Sequence, residues 1–391
     1  MTDGRTFYVY TDRMTVGYDG VPLISDIRIG VRRGEILTLI GPNGSGKSTI
    51  LKSIIRQLAL LAGTVALDGQ DIGQIPERKL AEKMSILMTD RIRTEYMTCR
   101  DVVATGRYPY TGRLGILSEH DHAVVDEAIR LVHAEAFAEN DFSRISDGQR
   151  QRMLLARAIC QEPEVLVLDE PTSYLDIKHK LELLDILKTL VREKDLAVVM
   201  SLHELDLAQK VSDTVVCVGG GGIDRCGPPE EIFRDDYIRT LYGMEKGSYN
   251  ALYGCTEMEP PEGSPKIFVI GGGGAGIPVY RLLVRRGMPF AAGVLSENDI
   301  DYPAAKALAA AVVSVPAFEN ISEEAARRAL DLIRACGKAV CVTETFGMHN
   351  LRNMELRETA AKEGLLLERE DLVRELCAGA ELQDSEGAGR A

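Results

Sequence analysis

The chain has 391 residues, 45% of them hydrophobic and 27% charged, an ordinary folded composition that excludes disorder as its main state. At about 150 residues per domain, that length predicts two to three domains. Lysine and arginine number 46 against 59 aspartate and glutamate, a net charge of −13, so no nucleic-acid partner is expected.

Asp3 and Arg5 interrupt what would have to be the apolar core of a secretion signal, so none is expected. No apolar run approaches the roughly 18–20 residues that cross a bilayer. The eight cysteines are scattered without any C-x-x-C spacing. That pattern suits reduced cysteines in a cytosolic protein better than disulfides or a zinc cluster.

Along the chain, Glu35–Ile40 is a short apolar run ending at Gly41, which predicts a buried strand, and Ser48–Leu61 has helical spacing. Residues 91–159 read as a helical insertion. Val165–Leu168 and Ala197–Met200 are two further buried strands. The stretch 254–265, rich in Pro, Gly and acid, predicts a linker. Apolar strand-like runs alternate with helical patterns on both sides of it, which predicts an α/β fold for residues 1–253 and again for 266–391.

Gly41, Pro42, Asn43, Gly44, Ser45, Gly46, Lys47 and Ser48 fit G-x-x-x-x-G-K-[ST] between a predicted strand and a predicted helix, and Thr49 next to them is a further candidate for nucleotide binding. Glycines there let backbone N–H groups turn around phosphate oxygens at a helix N-terminus. Lys47 neutralises the β- and γ-phosphates, and the Ser48 hydroxyl can reach Mg²⁺. Val165–Leu168 then ends in Asp169 and Glu170. Asp169 suits the Mg²⁺ site, and Glu170 is placed to polarise the attacking water as general base. ATP and Mg²⁺ are the expected cofactors.

Ile145-Ser-Asp-Gly-Gln149 precedes that acid pair by about twenty residues and resembles the signature motif of ABC-type ATPases. Ser173–Asp176 is similar to their D-loop, His203 to their switch histidine, and Tyr18 to the aromatic residue that stacks on adenine. These elements fall in the family order over residues 6–245. The resemblance implies a head-to-tail homodimer in which Ser146, Gly148 and Gln149 act on the γ-phosphate held by the other protomer. It further implies that Asp176 crosses the dimer interface and that His203 contacts the γ-phosphate. Thr98–Thr111, with Gly106-Arg-Tyr-Pro109 at its centre, is similar to importers of iron–siderophore, haem and cobalamin. There this surface receives a permease coupling helix, and Arg107, Tyr108 and Tyr110 are expected to line the groove. A multi-span permease, an extracytoplasmic substrate-binding protein and a peripheral place on the cytoplasmic membrane face follow from that resemblance. The alternatives are a soluble ABC ATPase uncoupled from transport and a nucleotide-sensing regulator acting through residues 266–391.

Two positions depart from the family pattern. Thr89 stands where a Mg²⁺-contacting glutamine is usual, and Asp147 replaces the first signature glycine. A carboxylate there costs electrostatic energy unless it is turned away or paired, with Arg150 or Arg152 as candidate partners.

Residues 266–391 predict a small doubly wound Rossmann-like domain. Lys266–Ile270 is followed by Gly271–Gly276, which fits G-x-G-x-x-G, with Pro278 starting a helix. A dinucleotide site wants an acid near the end of the second strand. Gly293 and Val294 occupy that region, while Glu297, Asp299 and Asp301 come later. A ligand-sensing or dimer-stabilising unit is therefore expected, its pocket formed by residues 271–276, 296–301 and 343–350. Cys336, Cys341 and His349 are spaced unhelpfully for a metal.

Overall fold

The computed structural model describes residues 7–88, 96–112, 115–372 and 374. The chain forms two compact units, 1–242 and 243–391. The first begins with strands β1 (Val9–Tyr18), β2 (Val21–Ile27), β3 (Gly30–Val31) and β4 (Ile36–Ile40), then helix α1 (Lys47–Ile54). Next come β5 (Ala62–Leu67), β6 (Gln70–Asp71), α2 (Glu77–Lys83) and β7 (Met84–Leu87). Helices α3 (Cys99–Ala104), α4 (Glu119–Leu131) and α5 (Asp147–Cys160) form the insertion. The unit closes with β8 (Val165–Asp169), α6 (Ile177–Lys194), β9 (Ala197–Ser201), α7 (Leu205–Val211), β10 (Thr214–Gly219), β11 (Gly222–Gly227), α8 (Pro229–Ile232) and α9 (Asp235–Leu241).

Two sheets enclose α1. The larger runs β11-β10-β4-β9-β8-β7, parallel throughout except for the antiparallel β10–β11 pair. Every residue of β4, β8 and β9 is buried, which is why these strands read as unbroken apolar runs rather than alternating ones. The smaller sheet is antiparallel, β2-β1-β5-β6, with β3 also paired to β1. Ile50, Leu51 and Ile54 of α1 share one core with Val16 and Ile24 from that sheet and with Leu37, Val167 and Val199 from the other. This packing fixes α1, and so the loop that enters it, against the carboxyl ends of the parallel strands.

The helical insertion is set by reciprocal caps. Thr98 with Asp101, Ser118 with Asp121, and Ser146 with Gln149 each form a capping box at the start of α3, α4 and α5. Each pair satisfies backbone donors that a helix start leaves open. Arg107 does not line a groove. Its guanidinium is 2% exposed and bonds Asp121 at 2.8 Å, the Cys160 carbonyl at 2.8 Å and Glu162 at 2.7 Å. It also lies 4.0 Å over the Tyr110 ring, and Tyr110 donates to the Gln161 carbonyl at 2.9 Å. These two residues hold the insertion together from inside, and Tyr108, 67% exposed, is the member of the trio that faces outward.

The second unit opens with the hairpin β12 (Ser248–Asn250) and β13 (Cys255–Glu257). The first unit therefore ends at Tyr242, before the boundary at 253 that composition suggests. Three-residue strands are too short to show against Pro and Gly, and Glu257 is buried and paired with Arg281. After it come β14 (Phe268–Ile270), α10 (Ile277–Arg285), β15 (Ala291–Ser296), α11 (Asp301–Leu308), β16 (Ala311–Val315), α12 (Glu323–Cys336), β17 (Ala339–Cys341), α13 (Leu351–Lys362) and β18 (Leu366–Leu367). The sheet β16-β15-β14-β17-β18 is wholly parallel. Separate apolar cores lie on its two faces, one with Tyr280, Leu283 and Leu308, the other with Ala329, Ile333 and Leu356. Helices cover both sides, as a doubly wound fold requires.

Candidate active site

Strand β4 delivers the chain to Gly41 at the carboxyl ends of the parallel strands, and α1 begins six residues later. Gly44 and Gly46 have φ of +77° and +99°, values that only glycine adopts without strain. A side chain at Gly46 would also strike Ile24, with contact at 2.5 Å. Lys47 is 5% exposed. Its ammonium donates to the Gly41 carbonyl at 2.7 Å and the Pro42 carbonyl at 3.0 Å. Burial lowers its pKa, and the carboxylates of Glu170 and Asp169 pull it back up. Tyr18, at the end of β1, is half-exposed, with its hydroxyl 3.2 Å from that of Thr49.

Strands β8 and β9 run side by side and bring in the acids. Ser48 donates to Asp169 at 3.0 Å, and Ser201 donates to the same carboxylate oxygen at 2.7 Å. The Ser201 hydroxyl in turn accepts the Glu170 backbone N–H at 2.9 Å. Glu170 has φ +49°, a left-handed conformation that costs about 1–3 kcal/mol in a non-glycine residue. Its carboxylate meets His203 Nε2 at 2.5 Å and accepts from Ser173 at 3.1 Å. Thr172 and Lys180 both donate to Glu204, at 2.9 and 2.5 Å, tying the His203 loop to the segment after Glu170.

The site thus gathers Tyr18, the loop Gly41–Thr49, Asp169, Glu170 and His203. Ser146, Gly148 and Gln149 stand apart at the start of α5, where Ser146 and Gln149 cap one another at 3.3 and 3.1 Å. Asp147 pairs with Arg150 at 2.5 Å and sits in the first turn of α5, where a negative charge is favourable. Asp176 caps α6 through the His179 N–H at 2.9 Å. Thr89 lies outside the described residues. Sequence reading missed Ser201, Thr172 and Lys180; Ser201, two residues before His203 at a strand end, was the one with a positional signal.

In the second unit the glycine-rich turn is already filled. Asp301 is fully buried and its carboxylate accepts from the N–H groups of Gly272 at 2.8 Å, Gly276 at 2.8 Å and Ile277 at 3.2 Å. Asp299 accepts from Gly273 at 3.0 Å. The donors that would face a dinucleotide's phosphates are therefore spent on the chain's own carboxylates. A cavity of about 310 Å³ opens beyond them, lined by residues of two expected loops, by His349 of the third, and by Phe318 and Glu319, which were not expected.

A buried strand, a glycine loop folded around a lysine, and a serine–aspartate–glutamate–histidine cluster on adjacent parallel strands define a P-loop ATPase. The chain belongs to the ABC transporter ATP-binding family. The ABC transporter family model matches residues 24–173, and a model described as the MJ0874 family matches 290–386. An uncharacterized ABC transporter ATP-binding protein of Methanocaldococcus jannaschii is 42% identical over 276 residues, 70% of this chain and 95% of that protein. The cobalamin import ATP-binding protein of Halobacterium salinarum is 33% identical over 79% of each chain. The achromobactin transport ATP-binding protein of Dickeya dadantii is 37% identical over 59% of this chain and 86% of its own. Among solved structures, a putative metal-chelate type ABC transporter in an inward-facing conformation aligns at TM-score 0.54 and 22% identity. That alignment covers 60% of this chain and 88% of the other. Among the described residues no helix is long and apolar enough to cross a membrane.

Proposed function

We propose that this chain energises import of an iron chelate, haem or corrinoid through a membrane permease, working as a homodimer at the cytoplasmic face of the membrane. An extracytoplasmic binding protein delivers the substrate. The observation that carries the ATPase chemistry is the junction of Lys47, Ser48, Asp169, Glu170 and His203 on one loop and two strands. The named import functions of the relatives support the transport reading.

ATP lies with its adenine on Tyr18 and its phosphates on the N–H groups of Gly44–Thr49. Lys47 exchanges the Gly41 and Pro42 carbonyls for phosphate oxygens. Ser48 and Asp169 present a hydroxyl and a carboxylate oxygen, hard donors of the kind Mg²⁺ takes together with substrate phosphates. Such an ion supplies positive charge to the phosphate oxygens when bound. Glu170 takes a proton from the attacking water, whose oxygen bonds to the γ-phosphorus as the bond to ADP breaks. His203 orients that water and the γ-phosphate. Ser146, Gly148, Gln149 and Asp176 complete the site from the other protomer. Tyr108 presents an aromatic contact to the permease.

The regulator alternative, in which the second unit senses a nucleotide, is opposed by the Asp301 and Asp299 bonds to its glycine-rich turn. Co-reconstitution with the permease in proteoliposomes tests the proposal. ATP-driven uptake of a labelled ferric siderophore, haem or cobalamin, lost with Glu170→Gln, is expected. ATP turnover without permease association or uptake would overturn it.

A further inference from the structure

The phosphate loop is held from a direction its sequence motif does not include. Gly41, its first residue, donates its backbone N–H to the Tyr242 hydroxyl at 3.1 Å. The carbonyl of the same residue accepts the Lys47 ammonium at 2.7 Å. Gly41 has φ +147°, and a Cβ there would lie 2.1 Å from the Val218 carbonyl oxygen, so the loop entry is pressed against β10. Tyr242 caps the C-terminus of α9. Burial pushes its hydroxyl pKa up to about 12. It is also the last residue of the first unit, and Gly243 opens the second.

We infer that Tyr242 is a positioning residue for ATP binding, and that it ties the setting of the phosphate loop to the point where the second unit begins. Two hydrogen bonds meet on Gly41, one from its N–H to Tyr242 and one to its carbonyl from Lys47. Loss of the hydroxyl leaves the Gly41 N–H without its acceptor and loosens the entry to the loop whose N–H groups take the phosphates. Tyr242 is bonded to the loop entry, not to Glu170 or His203. Its effect therefore falls on nucleotide binding rather than on the chemical step.

The test is Tyr242→Phe in the full chain. The ATP KM is expected to rise about 3–10-fold with kcat within about twofold of wild type. Tyr237→Phe removes a hydroxyl from the same helix, one that donates to Asp224 at 2.7 Å, and is expected to lower the melting temperature with KM unchanged. If Tyr242→Phe behaves like Tyr237→Phe, the role is merely structural and the inference fails. Hydrogen exchange on the wild-type chain gives a readout that needs no variant. A non-hydrolysed ATP analogue is expected to slow exchange in residues 236–247, across the junction. Exchange there that is the same with and without the analogue would overturn the coupling.

Discussion

His203 Nε2 lies 2.5 Å from Glu170 Oε1, while the other carboxylate oxygen accepts from Ser173 at 3.1 Å. Glu170 is thus held at both oxygens, by a side chain from the β9 end and one from its own turn. Removing His203 releases one of these restraints and takes away the side chain proposed to orient the attacking water. His203→Ala should lower kcat at least tenfold while nucleotide affinity stays within about threefold, since Lys47 and the loop amides are untouched. Steady-state turnover beside equilibrium binding of a fluorescent ATP analogue checks this; unchanged kcat would remove the histidine from the mechanism.

Arg107 and Tyr108 should separate folding from docking. Arg107→Met leaves the buried Asp121 carboxylate without its charged partner and with Ser118 as its remaining donor, and breaking a buried ion pair typically costs about 3–5 kcal/mol. It should lower the melting temperature of the isolated subunit sharply. Tyr108→Ala removes an exposed ring and should leave melting unchanged while weakening co-purification with the permease.

The parallel strands and the phosphate loop were legible because each is a local pattern: an apolar run, then glycines and a lysine at fixed spacing. The three capping boxes are equally local patterns, but the sequence reading gave only the helical insertion at 91–159 that holds them, and the caps came from the structure. Arg107 was misread because nothing near it in sequence says that Asp121 and Glu162 come back to it. Tyr242 gave no signal at all, since its partner is 201 residues away. In the second unit the sequence signal was an acid missing after the second strand, and the structure adds that the glycine turn is bonded to the chain's own carboxylates. The physical reason lay in Asp301, whose burial at the glycine turn depends on how α10 and α11 meet.

Acid should loosen the helical insertion through Asp121. Its carboxyl is held down to about 2 from an ordinary 3.8, first by the Ser118 hydroxyl and also by the Ser118 backbone N–H and Arg107, against the opposing effect of burial. A depressed carboxyl contributes stability above its unfolded value and loses it as pH falls through the folded one. The wild-type melting temperature should therefore fall more steeply between about pH 4 and pH 2 than that of Asp121→Asn. Parallel curves for the two proteins would contradict this.

Asp301→Ala should strip three backbone N–H groups of their acceptor and destabilise the second unit by about 2–4 kcal/mol. Calorimetry of the full chain would show a lowered transition with ATP turnover retained. On a Lys47→Ala chain, which removes the lysine proposed to bind phosphate in the first unit, NADH at millimolar concentration should leave the melting profile unchanged. A rise would mean that the turn opens to a dinucleotide after all.

The most direct measurement is ATP hydrolysis by Glu170→Gln, made beside its nucleotide content and its mass in solution. With the base neutralised but Lys47 and Asp169 in place, turnover should drop about 10²–10⁴-fold while ATP stays bound and a dimer accumulates. Turnover near the wild-type rate in a fully ATP-loaded variant would contradict the assignment of Glu170 as the base.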